Sequence, residues 1–147
     1  MQMGDIRTAH VVVIYCDRSL LEAARLMRQY HVGALVVVDV DDPQRRPRGI
    51  LTDRDIDRGQ IAKAADLHCL TVGDVMSRNP LCVRSDVSLA EGIDAMKARA
   101  VRRAPVVDRD GALVGIVTLD NLLPAIASEL SGLARLMGQQ AYRNDAR

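Results

Sequence analysis

The chain has 147 residues, 20 basic against 19 acidic, for a net charge of +1, and it contains neither Trp nor Phe. That length suits one compact unit that buries about two-thirds of its unfolded surface, with a core drawn from Val, Leu, Ile, Ala and Met. Near-neutral charge excludes bulk attraction to nucleic acid or a membrane surface, and three tyrosines offer little stacking for single-stranded bases.

The chain repeats itself. Adding 69 to each number lays residues 4–39 on residues 73–108 without a gap. Gly4-Asp5-Ile6 falls on Gly73-Asp74-Val75, Ser19-Leu20-Leu21-Glu22 on Ser88-Leu89-Ala90-Glu91, and Val37-Val38-Asp39 on Val106-Val107-Asp108. The loop 39–49 is three residues longer than its counterpart. Beyond it the offset becomes 66, and Gly49-Ile50-Leu51-Thr52 falls on Gly115-Ile116-Val117-Thr118.

Each copy opens with a short apolar strand, residues 11–14 or 81–83. A capping box follows, Ser19-x-x-Glu22 or Ser88-x-x-Glu91, in which Ser takes an orphan helix amide and Glu reaches back. The helix behind it is amphipathic: Leu20, Ala23, Ala24 and Met27 share one face, as do Leu89, Gly92, Ile93 and Met96. Two buried strands come next, at 34–38 and 49–51, then at 104–107 and 113–117. Asp108-Arg109-Asp110-Gly111 predicts a tight hairpin, whereas residues 41–48, with Pro43 and Pro47, make a looser link. A second helix begins at Thr52 or Thr118.

The order β-α-β-β-α, twice, predicts an α/β (α+β) chain. Each copy is marginal alone, so the two should pack about a pseudo-two-fold axis. The expected units are a first repeat at 4–65, a connector at 66–72, a second repeat at 73–130, and a C-terminal helix extension and tail at 131–147. Residues 122–137 predict an amphipathic helix with Ile126, Leu130, Leu133 and Met137 on one side and Pro124 near its start. That stripe suits the core or a dimer partner better than a ligand. Residues 141–147 are expected to fray.

The runs Gly73-Asp74-Val75-Met76-Ser77-Arg78-Asn79-Pro80, Val101-Arg102-Arg103-Ala104-Pro105-Val106-Val107-Asp108 and Gly115-Ile116-Val117-Thr118 resemble the successive signatures of a CBS domain. The first copy matches through residues 32–39 and Gly49-Ile50-Leu51-Thr52-Asp53-Arg54-Asp55. The resemblance covers residues 4–130 and implies a tandem CBS pair, or Bateman module. Such pairs bind AMP, ADP, ATP, S-adenosylmethionine or related ligands between their copies, and they dimerise into flat disks.

Thr52-x-x-Asp55, echoed by Thr118-x-x-Asn121, admits two readings. As a cap, Thr takes an amide and the residue three later reaches back. As a ligand device, the helix N-terminus offers free amides to a phosphate and the carboxylate accepts ribose hydroxyls. The resemblance implies that Asp55 holds the ribose, that Thr52 lies beside adenine or phosphate, and that Arg102 and Arg103 from the opposite copy reach the phosphates, with Arg54 as a further charge. Ile50, Leu81 and Val101 would wall the adenine of this first site. A second, weaker site would use Val12, Val32, Ile116, Thr118 and Asn121. There Asn121 replaces the carboxylate, and Gly33 and Ala34 replace the arginines, so this cleft is expected to be apolar. Singly, each aliphatic residue is also an ordinary core residue, and one arginine of an extended pair can simply face solvent.

No nucleophile–base pair or glycine-rich phosphate loop is visible, so neither catalytic residues nor a catalytic cofactor is expected. Cys16, Cys69 and Cys82, like His10, His31 and His68, lack metal-ligand spacing, and no metal site is expected. The three scattered cysteines suit reduced thiols in the cytoplasm, and residues 11–15 are too short an apolar run for a signal peptide. The expectation is a cytoplasmic regulatory module that binds an adenosyl metabolite, homodimerises and answers to an effector protein, without a nucleic-acid or membrane partner. The alternative is a dimerisation module that has lost its ligand.

Overall fold

The computed structural model describes residues 1–63 and 67–145, with side chains at all of these except 62, 63 and 141–145. The first half contributes α1 (Met3–Ile6), β1 (Val13–Tyr15), α2 (Leu20–Tyr30), β2 (Ala34–Val38), β3 (Gly49–Thr52) and α3 (Asp53–Lys63). The second contributes α4 (Val72–Val75), β4 (Ser77–Arg78), β5 (Val83–Arg84), α5 (Leu89–Arg99), β6 (Arg103–Val107), β7 (Leu113–Thr118) and α6 (Leu119–Asp145). The fold is α+β in two related halves, as the repeat predicts.

Ser19 and Ser88 start α2 and α5, each hydroxyl accepting the N–H of Glu22 or Glu91 at 3.1 Å. The expected return bond forms at neither Glu22 nor Glu91, and the Glu22 carboxylate lies instead 3.9 Å from Arg18. Reciprocal boxes form elsewhere: Asp5 accepts the Gln2 N–H at 2.8 Å, and Asp74 accepts the Thr71 N–H at 2.9 Å. The helices α2 and α5 stop at His31 and Ala100, whose φ angles of 54° and 53° are left-handed. That reversal turns the chain into the following strand.

β1 runs parallel to β2, and β2 and β3 pair antiparallel, with Val36 opposite Ile50. The second sheet repeats this with β5, β6 and β7. Its tight turn needs Gly111 at φ 84°, with the Asp108 carboxylate accepting the N–H groups of Asp110 and Ala112.

The folded halves differ from the sequence repeats in one respect, an exchange of N-terminal segments. Met3, fully buried, packs with Val83, Met96 and Ala104 of the second half. Its N–H donates to Val87 at 2.9 Å, and Thr8 bridges Ile116. Gly92 makes room for this segment, since a Cβ there would lie 2.5 Å from the Met3 sulfur. Reciprocally, Val72 joins the first-half core with Ile14, Leu35 and Leu51, and β4 adds to β3 with Ser77 opposite Ile50. Residues assigned to one repeat thus complete the other. Residues 64–66, where the first repeat was expected to give way to the connector, lie outside the described residues.

The C-terminal helix runs unbroken from Leu119 through Asp145, so the expected extension continues the second helix of the second copy, and residues 141–145 are helical. Pro124 sits at the sixth helical position, beyond the first turn where proline is most easily tolerated. A helix already nucleated gains one bond per added residue, and residues 131–145 contain no proline to stop it.

Candidate functional site

Among the described residues, two of the cavities between the halves gather the expected site residues. Cavity 1, of about 250 Å³, takes Ile50 and Thr52 from β3 and Leu81, Val101, Arg102 and Arg103 from the second copy. These are six of the eight residues expected at the first site. The exchanged β4 brings Ser77 and Arg78 into the same wall, followed by Asn79 and Pro80, and Arg99 reaches in from the end of α5.

Arg54 and Asp55 do not line this cavity. Asp55 acts as the cap: its carboxylate accepts the Thr52 N–H at 2.9 Å, and its own N–H donates to the Thr52 hydroxyl at 3.2 Å. The expectation of free amides at this helix start is corrected as well. Asp53 N–H donates to the Gly33 carbonyl at 3.1 Å, and Arg54 N–H donates to the Asp53 carboxylate at 2.8 Å. With the first three amides of α3 engaged, an anion here depends on side chains.

Those side chains are abundant. Cavity 1 is lined by Arg78, Arg99, Arg102 and Arg103, and none of its described lining residues is acidic. Arg78 donates to the Gly73 carbonyl at 3.1 Å and Arg99 to the Asn79 carbonyl at 2.8 Å. None of the four joins an ion pair among the described residues. Close by, burial pushes the Cys82 thiol up, and the Arg99 charge partly opposes it. A guanidinium cluster without internal counter-charge is a site for an anion with several oxygen acceptors.

Cavity 2, of about 360 Å³, is its pseudo-symmetric partner. It gathers Val12, Val32, Ile116 and Thr118, four of the five residues expected at the second site. Asn121 is not among its lining residues; its amide oxygen accepts the N–H of Thr118 at 2.9 Å, copying the Asp55 cap. The expectation of an apolar cleft is corrected, because His10, Asp120 and Arg103 line it beside Gly33 and Ala34. Arg103 therefore belongs to both cavities.

Sequence reasoning missed Ser77, Arg78, Asn79, Pro80 and Arg99 as cavity residues. The run Ser77-Arg78-Asn79-Pro80 stood inside a signature already singled out. What placed it was the exchange of β4, which makes this stretch cross from the first sheet to the second.

The model of the CBS domain matches the sequence twice, at residues 3–60 and 72–128. The chain belongs to the CBS-domain family. This CBS pair is 35% identical over 131 residues to the CBS domain-containing protein YhcV of Bacillus subtilis, covering 88% of the chain and 89% of YhcV. It is 34% identical over 113 residues to the inosine-5'-monophosphate dehydrogenase of Methanocaldococcus jannaschii, covering 77% of the chain but 21% of that enzyme. Of another curated relative, an uncharacterised protein of Methanopyrus kandleri, it spans 61%. Among solved structures it is similar to CBSX2 in complex with AMP, with a TM-score of 0.71 and 29% identity over 86% of the chain and 96% of CBSX2. Among the described residues no helix is long and apolar enough to cross a membrane.

Proposed function

We propose that this CBS pair is a regulatory module that senses an adenosine-containing metabolite and performs no chemistry on it, with AMP, ADP or ATP taken in cavity 1. The observation that supports this reading is a cleft between two halves with aliphatic walls and four arginines unopposed by any lining carboxylate. The walls suit an adenine face, and the arginines suit phosphate. The volume falls just under the usual range of roughly 300–1,000 Å³ for small-molecule pockets, so base and ribose would fill the cleft and phosphates would occupy its arginine-rich mouth. The AMP bound by CBSX2, similar along most of both chains, supports the same ligand class.

Asp55 belongs to this reading as a ribose partner at the edge of cavity 1, bonded to the lining residue Thr52. One carboxylate oxygen caps α3, which leaves the other for a hydroxyl. Arg54 would serve as an outer charge. Cavity 2, where Asp120 offsets Arg103 between aliphatic walls, suits an adenosyl group without phosphates, as in S-adenosylmethionine. Two or three charge-assisted bonds of roughly 1.5–3 kcal/mol each, less ordering costs, give binding near −8 kcal/mol, in the micromolar range. Ligand entry would alter the angle or rigidity between halves, and an effector protein in the cytoplasm would read that change.

A second reading, a dimerisation module without ligand, is favoured by the exposed Leu130 and Leu133 on α6. Calorimetry and thermal shift with AMP, ADP, ATP and S-adenosylmethionine separate the two. The sensor gives saturable heat with at least one of them. Silence with all four in both measurements leaves the dimerisation module.

A further inference from the structure

Among the described residues, Arg103 alone lines both cavities. The repeat explains why. Residues 34 and 103 correspond under the offset of 69, and each is the first residue of an inner strand, β2 or β6. Ala34 ends at its methyl and lines cavity 2 only, whereas the long Arg103 side chain lines cavity 1 and also reaches its neighbour. One guanidinium, not a symmetric pair, therefore stands between the clefts.

Its backbone is held, because Arg103 pairs with Thr118 across β6 and β7. Its side chain is not. Arg103 is half-buried, and its guanidinium has no hydrogen-bond or ion-pair partner among the described residues. The two clefts act on that charge in opposite ways. Arg78, Arg99 and Arg102 of cavity 1 repel it while no anion is bound. Cavity 2 sets it in one cleft with Asp120, which is exposed and beyond ion-pair distance. With cavity 1 empty, Arg103 offsets the Asp120 charge. A phosphate in cavity 1 engages the guanidinium in charge-assisted bonds and leaves the Asp120 carboxylate uncompensated.

We infer that Arg103 couples the two cavities, with a sign set by the charge of the second ligand. A phosphorylated adenosine in cavity 1 raises the affinity of cavity 2 for a cationic adenosyl compound, a sulfonium, and lowers it for a second phosphate. This inference rests on the sensor reading of the two cavities. Coupling free energy is reciprocal, so the sulfonium tightens the nucleotide by the same factor. Asp120 is open to solvent, which screens it, so the factor lies at the low end of the range for coupled sites, about fivefold.

The test is calorimetric titration of the full chain with the tightest-binding of AMP, ADP and ATP, alone and with saturating S-adenosylmethionine. The nucleotide Kd falls about fivefold with S-adenosylmethionine, and changes by less than about twofold with S-adenosylhomocysteine, which lacks the sulfonium charge. Arg103→Gln weakens the nucleotide about tenfold, leaves Arg78, Arg99 and Arg102 to hold it, and brings the S-adenosylmethionine effect below about twofold. Arg102→Gln, in cavity 1 only, weakens the nucleotide but retains the effect. A nucleotide affinity that S-adenosylmethionine leaves unchanged or lowers, or an effect that survives Arg103→Gln, overturns the inference while the sensor reading stands. Absence of heat with all three nucleotides removes the sensor reading itself, and the coupling with it.

Discussion

Asn79 and His10 occupy the same place in the two cavities, as do Arg102 and Gly33, Arg103 and Ala34, and Leu81 and Val12. The frame is shared, the caps are shared, and the strands that build each cavity are related by the repeat offsets of 69 and 66. What differs is charge. Where Arg99 donates to Asn79 beside cavity 1, Tyr30 stands 6.3 Å from the His10 ring beside cavity 2. Duplication copies geometry, because geometry rests on many backbone bonds and buried aliphatics at once. Ligand chemistry rests on a few exposed side chains, each free to change without unfolding the unit.

The largest effect follows from removing what distinguishes cavity 1. Arg102→Ala with Arg103→Ala should weaken AMP or ATP binding by about 100-fold or more by calorimetry, since each lost charge-assisted bond is worth roughly 1.5–3 kcal/mol. A variant that binds as well as wild type would place the nucleotide elsewhere. Next is the reciprocal closure of the halves. Met3→Ala should cost about 2–4 kcal/mol in denaturant unfolding, because Met3 is fully buried in the core of the half it does not belong to in sequence.

A gain of function sharpens the comparison further. Ala34→Arg should raise the affinity of cavity 2 for a phosphorylated adenosine by about tenfold, read as a second set of heats. Asp55→Asn isolates charge from capping, because Asn121 already shows that an amide oxygen can serve this cap. Binding should fall about three- to tenfold with the melting temperature unchanged, whereas Asp55→Ala should also cost roughly 1 kcal/mol of stability.

The smallest effect is in pH. Hydrogen bonding from Arg84, with Arg109 adding to it, holds the Asp86 carboxyl below its ordinary value. A depressed carboxylate contributes stability above its unfolded pKa and loses it as pH falls through the folded one. The Asp86 carboxylate lies at the surface, within reach of solvent, so the acid limb of a stability–pH profile should differ only slightly in Asp86→Asn.

Much of this was legible in the chain. The offset of 69 gave the two copies, Ser19 and Ser88 gave the helix starts, and alternation of apolar runs gave the strands. These are local signals, set by residues a few positions apart. Six of the expected first-site residues line cavity 1 because their motifs sit at the ends of β3 and the start of β6, where chain order already places them. Arg78 and Arg99 were not legible as cavity residues, nor was the sharing of Arg103, because each depends on which sheet a neighbouring strand joins.

The amino-acid order by itself determined the duplication, the caps, the aliphatic core and the apolar stripe of α6, since all are written in spacing along one chain. Tertiary structure alone decided that Met3 closes the far half and that four arginines of the second copy converge with β3 of the first on one cleft. Those outcomes depend on distances between segments some 70 residues apart, and such distances are fixed only when the two halves pack.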